Sequence, residues 1–398
     1  MLSVVEARAR MLSAINKLTN EDVPLRAAIG RTLAAPVLAR QDHPPYAASA
    51  MDGYAVRSAD TPGQLEIIGE SAAGRAFAGR CEAGKAIRIS TGAALPEGAD
   101  TIVIQEVVER SGTNLQVPQA APGRHIRHRA LDFAAGSVLL EPGRTIDGVA
   151  LAHAAASGAA TLCVSRAPRI AILCCGDELV EPGTTPGPFQ IFESCSFGVA
   201  GLVEEWGGTA DRLAIGSDHA DNIAACAGRG LEASDLLVVI GGASVGDHDL
   251  ARPALKTLGL EMFFEKVSVR PGKPTWFGVT PFGPVLGLPG NPGSALVCAY
   301  LFLRPLMDAM IGRETKLSTH LQRARLGHSL PKNGDREHYL RCQAIIGSDG
   351  VLTANAYDNQ DSSMLSVFAS ANALVRLAPR AEALAGGEMV DVLMLGSP

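Results

Sequence analysis

After Pro168 the chain repeats one unit, an apolar run that ends in a glycine loop and is followed by a helix-spaced segment, and this repetition constrains the fold most. RIAILCCGDEL leads to FGVAGLVEEWGG, TADRLAIGS to ADNIAACAGRGLEA, and DLLVVIGGASVGDHD to LARPALKTLG, while GPVLGLPGNPGS runs into ALVCAYLFLRPLMDAMIG. Strands that are apolar along their whole length need cover on both faces, and alternation with helices supplies it. The pattern predicts a doubly wound parallel sheet in an α/β domain of about 150 residues.

The flanks read differently. Between Tyr54 and about Leu140, the short runs LEIIG, KAIRIS, DTIVIQEVVE and NLQVP are separated by Gly and Pro, which predicts a mainly β module. The first forty residues read as largely helical, with Ser3 and then Asn20-Glu21-Asp22 as caps. A short helix from Asp147 to about Gly158 leads out of the β module. From about Glu314, HYLRCQAII, VLTANAY and NALVRLAP predict a small C-terminal β domain. At 398 residues the chain exceeds one ordinary core, and two to four domains fit it.

Charge and composition exclude several functions. With 35 Lys+Arg against 41 Asp+Glu the net charge is −6, so bulk electrostatics gives no reason to hold nucleic acid. The most membrane-like run, residues 295–303, meets Arg304 far short of the roughly 20 residues that span a bilayer, so no membrane partner is expected. The N-terminus carries charges throughout, unlike a signal peptide, and the eight cysteines include no CxxC pair. Both features fit reduced thiols in a cytoplasmic protein.

In such sheets, ligands bind beyond the carboxyl ends of the strands, where loop amides and helix N-termini present donors. Four loops take that position: Cys174 to Glu178, Gly216 to Asp218, Gly241 to Asp249, and Leu288 to Ser294. Gly241, Gly242 and Gly246 let amides curl around an anion and Ser244 adds a hydroxyl, although a tight strand-to-helix turn needs the same glycines. Asp247 reads as a helix cap and Asp249 as a metal-side carboxylate, because Mg²⁺ bridges one or two carboxylates with phosphate oxygens. Glu178 and Asp218 are further owners for a divalent metal or a general base. Lys266, Arg270 and Lys273 put three cations within eight residues, stiffened by PGKP, which suits phosphate or molybdate-like anions and equally a solvated edge strand. Pro289, Gly290, Asn291 and Pro292 fix a loop whose amides precede an apolar helix.

The motifs SAMDGYAVR, ISTGAALPEGADTIV, GDEL, GGASVGDHD, PGKP and LPGNP, in this order, resemble those of the molybdopterin molybdenumtransferase family, the MoeA type also found as the gephyrin E domain. The resemblance spans nearly the whole chain. It implies a cytoplasmic homodimer of four parts. Residues 1–18, 38–46 and 132–167 form an N-terminal linker and dimerisation domain; 19–37 and 47–131 a β module; 168–316 the molybdopterin-binding domain; and 317–398 a C-terminal β barrel. The implied reaction inserts molybdate into adenylylated molybdopterin with Mg²⁺-dependent release of AMP. The family's functional acids match Asp52, Asp132, Glu178, Asp218 and Asp249, with Glu178, Asp218 and Asp249 as the metal ligands. Its hydroxyl matches Thr91, its cations Lys266, Arg270 and Lys273, and its loop prolines Pro289 and Pro292. An active site built across the dimer gives Asp52 and Thr91, remote in sequence, a route to the α/β loops.

The chain departs from the family pattern in four places. A Ser or Thr pair becomes Cys174-Cys175, and thiols donate more weakly. Gly-Glu-Asp-Ile reads Ala130-Leu131-Asp132-Phe133, and Gln-Ile-x-Asp-Ser-Asn reads Gln190-Ile191-Phe192-Glu193-Ser194-Cys195. Arg270 replaces a usual Lys. These changes leave a non-catalytic molybdopterin-binding or scaffold paralogue as the alternative, separated from the enzyme by AMP release.

Overall fold

The computed structural model of the chain describes residues 1–216, 219–242 and 250–396. Its central sheet has six strands in the order Thr209–Arg212, Arg169–Cys174, Leu236–Ile240, Gly283–Leu288, Trp276–Thr280 and Glu261–Phe264. The first four run parallel, as the apolar sequences of Arg169–Cys174, Leu236–Ile240 and Gly283–Leu288 predict, with the polar Thr209–Arg212 forming the half-exposed edge. The last two are antiparallel, so the sheet is mixed where sequence alone suggested a purely parallel one. The reason is local: only Pro281 and Phe282 separate Trp276–Thr280 from Gly283–Leu288, and a link that short can only turn the chain back on itself.

Successive side chains of Arg169–Cys174 feed opposite layers. Ile170 and Ile172 pack with Val199 and Val203 of the helix Cys195–Glu205, with Leu301 and Leu303, and with Val4, Ala7 and Met11 of the first helix. Ala171 and Leu173 pack with Ile223, Ala227 and Leu231 of Ala220–Ala233 and with Ala254 of Ala251–Lys256. The helical run 292–310 is long and apolar enough to cross a membrane, but 89% of its most apolar window is buried inside the protein. It is a core helix.

At the N-terminus the predicted caps are partly displaced. Ser3 caps Val4–Leu12 in a capping box with Glu6. Asn20–Pro24, whose acidic residues read as helix caps, is instead a strand paired antiparallel with Thr161–Ser165. Val37–Leu38 pairs with Val138–Leu140. Val23, Leu33 and Val37 thus share a core with Leu140, Ile146, Ala150 and Val164. Residues 20–38 pack against 138–165 through these contacts, whereas the sequence reading groups 19–37 with 47–131. Asp147 caps Gly148–Ala156, accepting from the Ala150 amide at 2.7 Å.

The β module is a six-stranded sheet ordered Thr101–Ile104, Gly53–Val56, Lys85–Ile89, Gly63–Ser71, Asn114–Val117 and Glu109–Ser111. The C-terminal part is a closed five-stranded barrel. Glu337–Ile346 pairs with Leu352–Ala356 and with Ala373–Leu377, while Leu321–Leu326 and Met389–Met394 complete the ring. Val269–Arg270 adds to the barrel beside Glu337 and His338, tying the cationic PGKP hairpin to it.

That junction sets a pH dependence. Burial, and then the nearby Arg270, Arg336 and Arg341, push the His338 imidazole from its ordinary 6.5 down to about 4. Between those values the unfolded chain binds the extra proton and the folded chain does not. The stabilisation is therefore complete above pH 6.5 and is lost as pH falls towards 4. Because His338 is only 7% exposed, the loss amounts to about 3 kcal/mol by linkage. His338→Gln should flatten the urea-unfolding free energy across this pH window; an unchanged slope would exclude His338 as its source.

Candidate active site

Three strand ends converge on one cleft of about 530 Å³. Cys174 and Cys175 lie at the end of Arg169–Cys174, Gly241 and Gly242 follow Leu236–Ile240, and Pro289 to Pro292 follow Gly283–Leu288. The loops are laced together by backbone. The Cys175 amide donates to the Ile240 carbonyl at 3.1 Å, and the Gly241 amide to the Leu288 carbonyl at 3.2 Å. Gly241 has φ +84°, and a Cβ there would lie 2.8 Å from the Cys175 carbonyl oxygen, so only glycine lets these two loops touch.

The structure places the sequence-derived candidates in three groups. Glu178, Gly241, Gly242, Pro289, Gly290, Asn291 and Pro292 line the cleft. Asp52, Thr91, Asp132, Lys266, Arg270 and Lys273 do not line it, although Pro274, next to Lys273, does. Asp218, Ser244, Gly246 and Asp249 lie outside the described residues, as does Asp247. Within the second group, Asp52 and Thr91 meet each other: the Thr91 amide donates to Asp52 Oδ1 at 2.6 Å. That bond, with the Thr91 hydroxyl and Arg88, holds the exposed Asp52 carboxyl below its ordinary range. The carboxylate is thus poised as an anion on the β-module surface. The three cations of the hairpin have no ion-pair partner among the described residues, and the Val267 amide closes their loop on the Lys273 carbonyl at 3.1 Å.

The Pro289–Pro292 loop differs from expectation in one respect. Its amides were expected to face an anion, but the barrel segment 359–364 docks there first. The Gly293 amide donates to the Ser362 carbonyl at 2.9 Å, and the Asn291 side-chain amide donates to the Ser362 hydroxyl at 2.9 Å. Behind this contact lies Arg341, fully buried. Its Nη1 donates to the Asp361 carbonyl at 2.9 Å, and its Nε shares Gln360 Oε1 with its own amide. Its Nη2 has no hydrogen-bond partner among the described residues, leaving a buried cationic donor at the barrel side of the site. A lone Arg inside the strand HYLRCQAII gives no sequence signal for this.

Sequence reasoning also missed a network built on two of the departures. Glu193, 2% exposed, accepts the Cys174 thiol at 3.2 Å, the Ser196 amide at 2.7 Å and the Ser196 hydroxyl at 2.5 Å. Arg212 donates to Ser196 Oγ at 2.6 Å, pairs with Glu193 at 3.4 Å, and lies over the Phe197 ring at 3.4 Å. The longer carboxylate therefore reaches the thiol and anchors the start of Cys195–Glu205, whose first residues line the cleft. Burial, then Glu193, pushes the Cys174 thiol well up, and the same causes raise Cys195 to about 12. Both remain protonated near neutrality, so they serve as weak donors and not as nucleophiles. Cys195 donates to the Gly290 carbonyl at 3.4 Å.

Among the described residues, no group of three His, Cys, Asp or Glu is placed to hold a metal ion. Glu178 is the one metal-ligand candidate within them. Its carboxylate folds back over Gly176, where a Cβ would lie 2.5 Å from Oε2, and it is exposed to the cleft. One exposed carboxylate fits a hard cation that takes its remaining ligands from phosphate oxygens and water.

An α/β unit with a backbone-built cleft at its strand ends, joined to a β module and a closed barrel, defines a multidomain protein whose α/β part is the ligand-binding domain. Residues 171–309, which carry the cleft, match the family described as a probable molybdopterin binding domain. Residues 2–158 match the MoeA N-terminal region (domain I and II), and residues 323–395 the MoeA C-terminal region (domain IV). The molybdopterin molybdenumtransferase of Nostoc sp. is 34% identical across 94% of this chain and 88% of its own. That of Haemophilus influenzae is 31% identical across 98% of both. The crystal structure of the molybdopterin biosynthesis MoeA protein from Pyrococcus horikoshii superposes with a TM-score of 0.86 at 29% identity, covering 100% of both chains. The chain belongs to the molybdopterin molybdenumtransferase family.

Proposed function

We propose that this protein acts in molybdenum cofactor biosynthesis, inserting molybdate into adenylylated molybdopterin with Mg²⁺-dependent release of AMP. The observation that carries this reading is the cleft itself, floored by loop backbone and walled by apolar side chains with one exposed carboxylate, Glu178, on the domain that matches the molybdopterin binding family. A substrate composed of phosphates, an oxyanion and flat rings suits such a floor.

In this reading, Glu178, together with Asp218 and Asp249, would hold Mg²⁺, which would supply charge neutralisation for phosphate oxygens. Loop amides at Gly241, Gly242 and Gly290, with Ser244 and Gly246, hold phosphate oxygens. Lys266, Arg270 and Lys273 attract the oxyanion, and Pro289, Asn291 and Pro292 keep the floor rigid. A water oxygen attacks the adenylyl phosphorus and its released proton passes to solvent, or a molybdate oxygen attacks and its Mo–O bond then breaks; in either case the anhydride P–O bond breaks and AMP leaves carrying the incoming oxygen. The other phosphate stays on molybdopterin. No covalent enzyme intermediate is needed.

The Asp52–Thr91 pair is exposed and does not line its own chain's cleft, which supports a homodimer in which one subunit's pair, with Asp132, completes the cleft of the other. The fold supports a four-part organisation, with residues 20–38 joined to 138–165 by pairing and a shared core. Reduced, buried cysteines agree with a cytoplasmic setting. The test is AMP release by the purified protein given adenylylated molybdopterin and Mg²⁺, with and without molybdate. Release that requires molybdate is expected; release that ignores it would identify a hydrolase, and pterin binding without release a scaffold.

A further inference from the structure

Phe192 sits in the cleft wall in a state that folding alone does not explain. Phe192 is 49% exposed and Ile191 beside it 59% exposed, yet both line the cleft. The backbone that carries them is fixed on both sides. The Ile191 amide donates to the Glu178 carbonyl at 2.8 Å, and the Glu193 amide to the Val180 carbonyl at 2.9 Å. The next side chain, Glu193, is locked by Cys174, Ser196 and Arg212. The preceding segment, EPGTTPGPFQ, spends three prolines on a rigid approach to this strand. Among the described residues Phe192 has neither an aromatic nor a cationic partner, whereas Phe197, five residues on, is covered by the Arg212 guanidinium.

An aromatic side chain carried on a fixed backbone and left uncovered at a ligand cleft offers its face to a flat heterocycle for stacking. We infer that Phe192, flanked by Ile191, is the wall on which a planar heterocycle of the substrate stacks, and so a specificity-determining residue of this site. The inference rests on the proposed substrate, which offers two such rings, a pterin and an adenine. The division of labour follows from the cleft's chemistry: loop amides and Glu178 take the phosphates and their counter-ion, and the Phe192 side takes the ring.

The test is equilibrium binding of adenylylated molybdopterin, AMP and unadenylylated molybdopterin to the full-length wild type, F192A, F192L and F192W. Stacking on a single aromatic side chain predicts that F192A raises Kd about tenfold, that F192W restores binding, and that F192L, apolar but not aromatic, stays weak. The melting temperature should not move, because the ring is half in solvent. A loss confined to AMP assigns the stack to adenine, and a loss confined to molybdopterin assigns it to the pterin; either supports the inference. Wild-type binding with F192A within twofold, or F192L binding as tightly as wild type, overturns it. A wild type that binds none of the three ligands would overturn the functional reading itself, which separates the two failures.

Discussion

Glu178→Gln is expected to lower the turnover of molybdate-dependent AMP release on the order of 100-fold while leaving the melting temperature unchanged. Glutamine keeps the size of the side chain and its place over Gly176, and it removes the charge. Because Glu178 is exposed and its backbone carbonyl, not its carboxylate, anchors Ile191, the fold does not depend on that charge. A hard cation bridged to phosphate oxygens does depend on it. The Mg²⁺ concentration for half-maximal rate should rise together with the fall in kcat. Turnover within threefold of wild type, at the same Mg²⁺ requirement, would show that Glu178 holds neither metal nor reacting group.

The second large effect is on stability. Gly272 stands at φ +114° in the PGKP hairpin, and a Cβ there would come 2.2 Å from the buried Cys298 sulfur and 3.3 Å from Val269. Gly272→Ala combines a backbone conformation that L-residues resist with an overlap inside a packed core, and should cost about 3 kcal/mol. The same substitution displaces the hairpin that carries Lys266, Arg270 and Lys273, so KM for molybdate should rise with it. Adding Cys298→Ala relieves the overlap but not the backbone strain and should recover only part of the loss. Equilibrium urea unfolding distinguishes these cases, and a Gly272→Ala variant within 0.5 kcal/mol of wild type, the scatter usual for surface substitutions, would refute the account of this turn.

These two residues show which parts of the molecule were readable in advance. The glycine and proline loops announce themselves, because Gly241 and the Pro289–Pro292 loop carry a turn chemistry few other residues supply, and they do line the cleft. The parallel strands were legible because Arg169–Cys174, Leu236–Ile240 and Gly283–Leu288 are apolar on both faces. The antiparallel edge was not, since Trp276–Thr280 is buried along almost its whole length and its apolar run reads like that of a parallel strand. Asn20–Pro24 was misread because only Val23 points inward; its strand character comes from a partner near residue 163. In the site, the Glu193 network is spread over positions 174, 193, 196 and 212, each ordinary by itself. Arg341 lies buried behind the segment that docks on the Pro289–Pro292 loop, held by contacts that no local pattern encodes.

The departures acquire a physical meaning from this geometry. The Cys174–Glu193 bond at 3.2 Å shows the longer acid reaching the larger, weaker donor. The pair is spent on structure, and this leaves the cleft's exposed polar surface to loop backbone and Glu178.

The most direct measurement is a parallel time course of AMP and molybdenum-bound pterin from adenylylated molybdopterin, Mg²⁺ and molybdate, with an Asp249→Ala variant as the baseline. Equal molar amounts of the two products, both dependent on molybdate and both above the baseline, are the predicted result. AMP no higher than that of the variant, or AMP formed without molybdenum reaching the pterin, would contradict it.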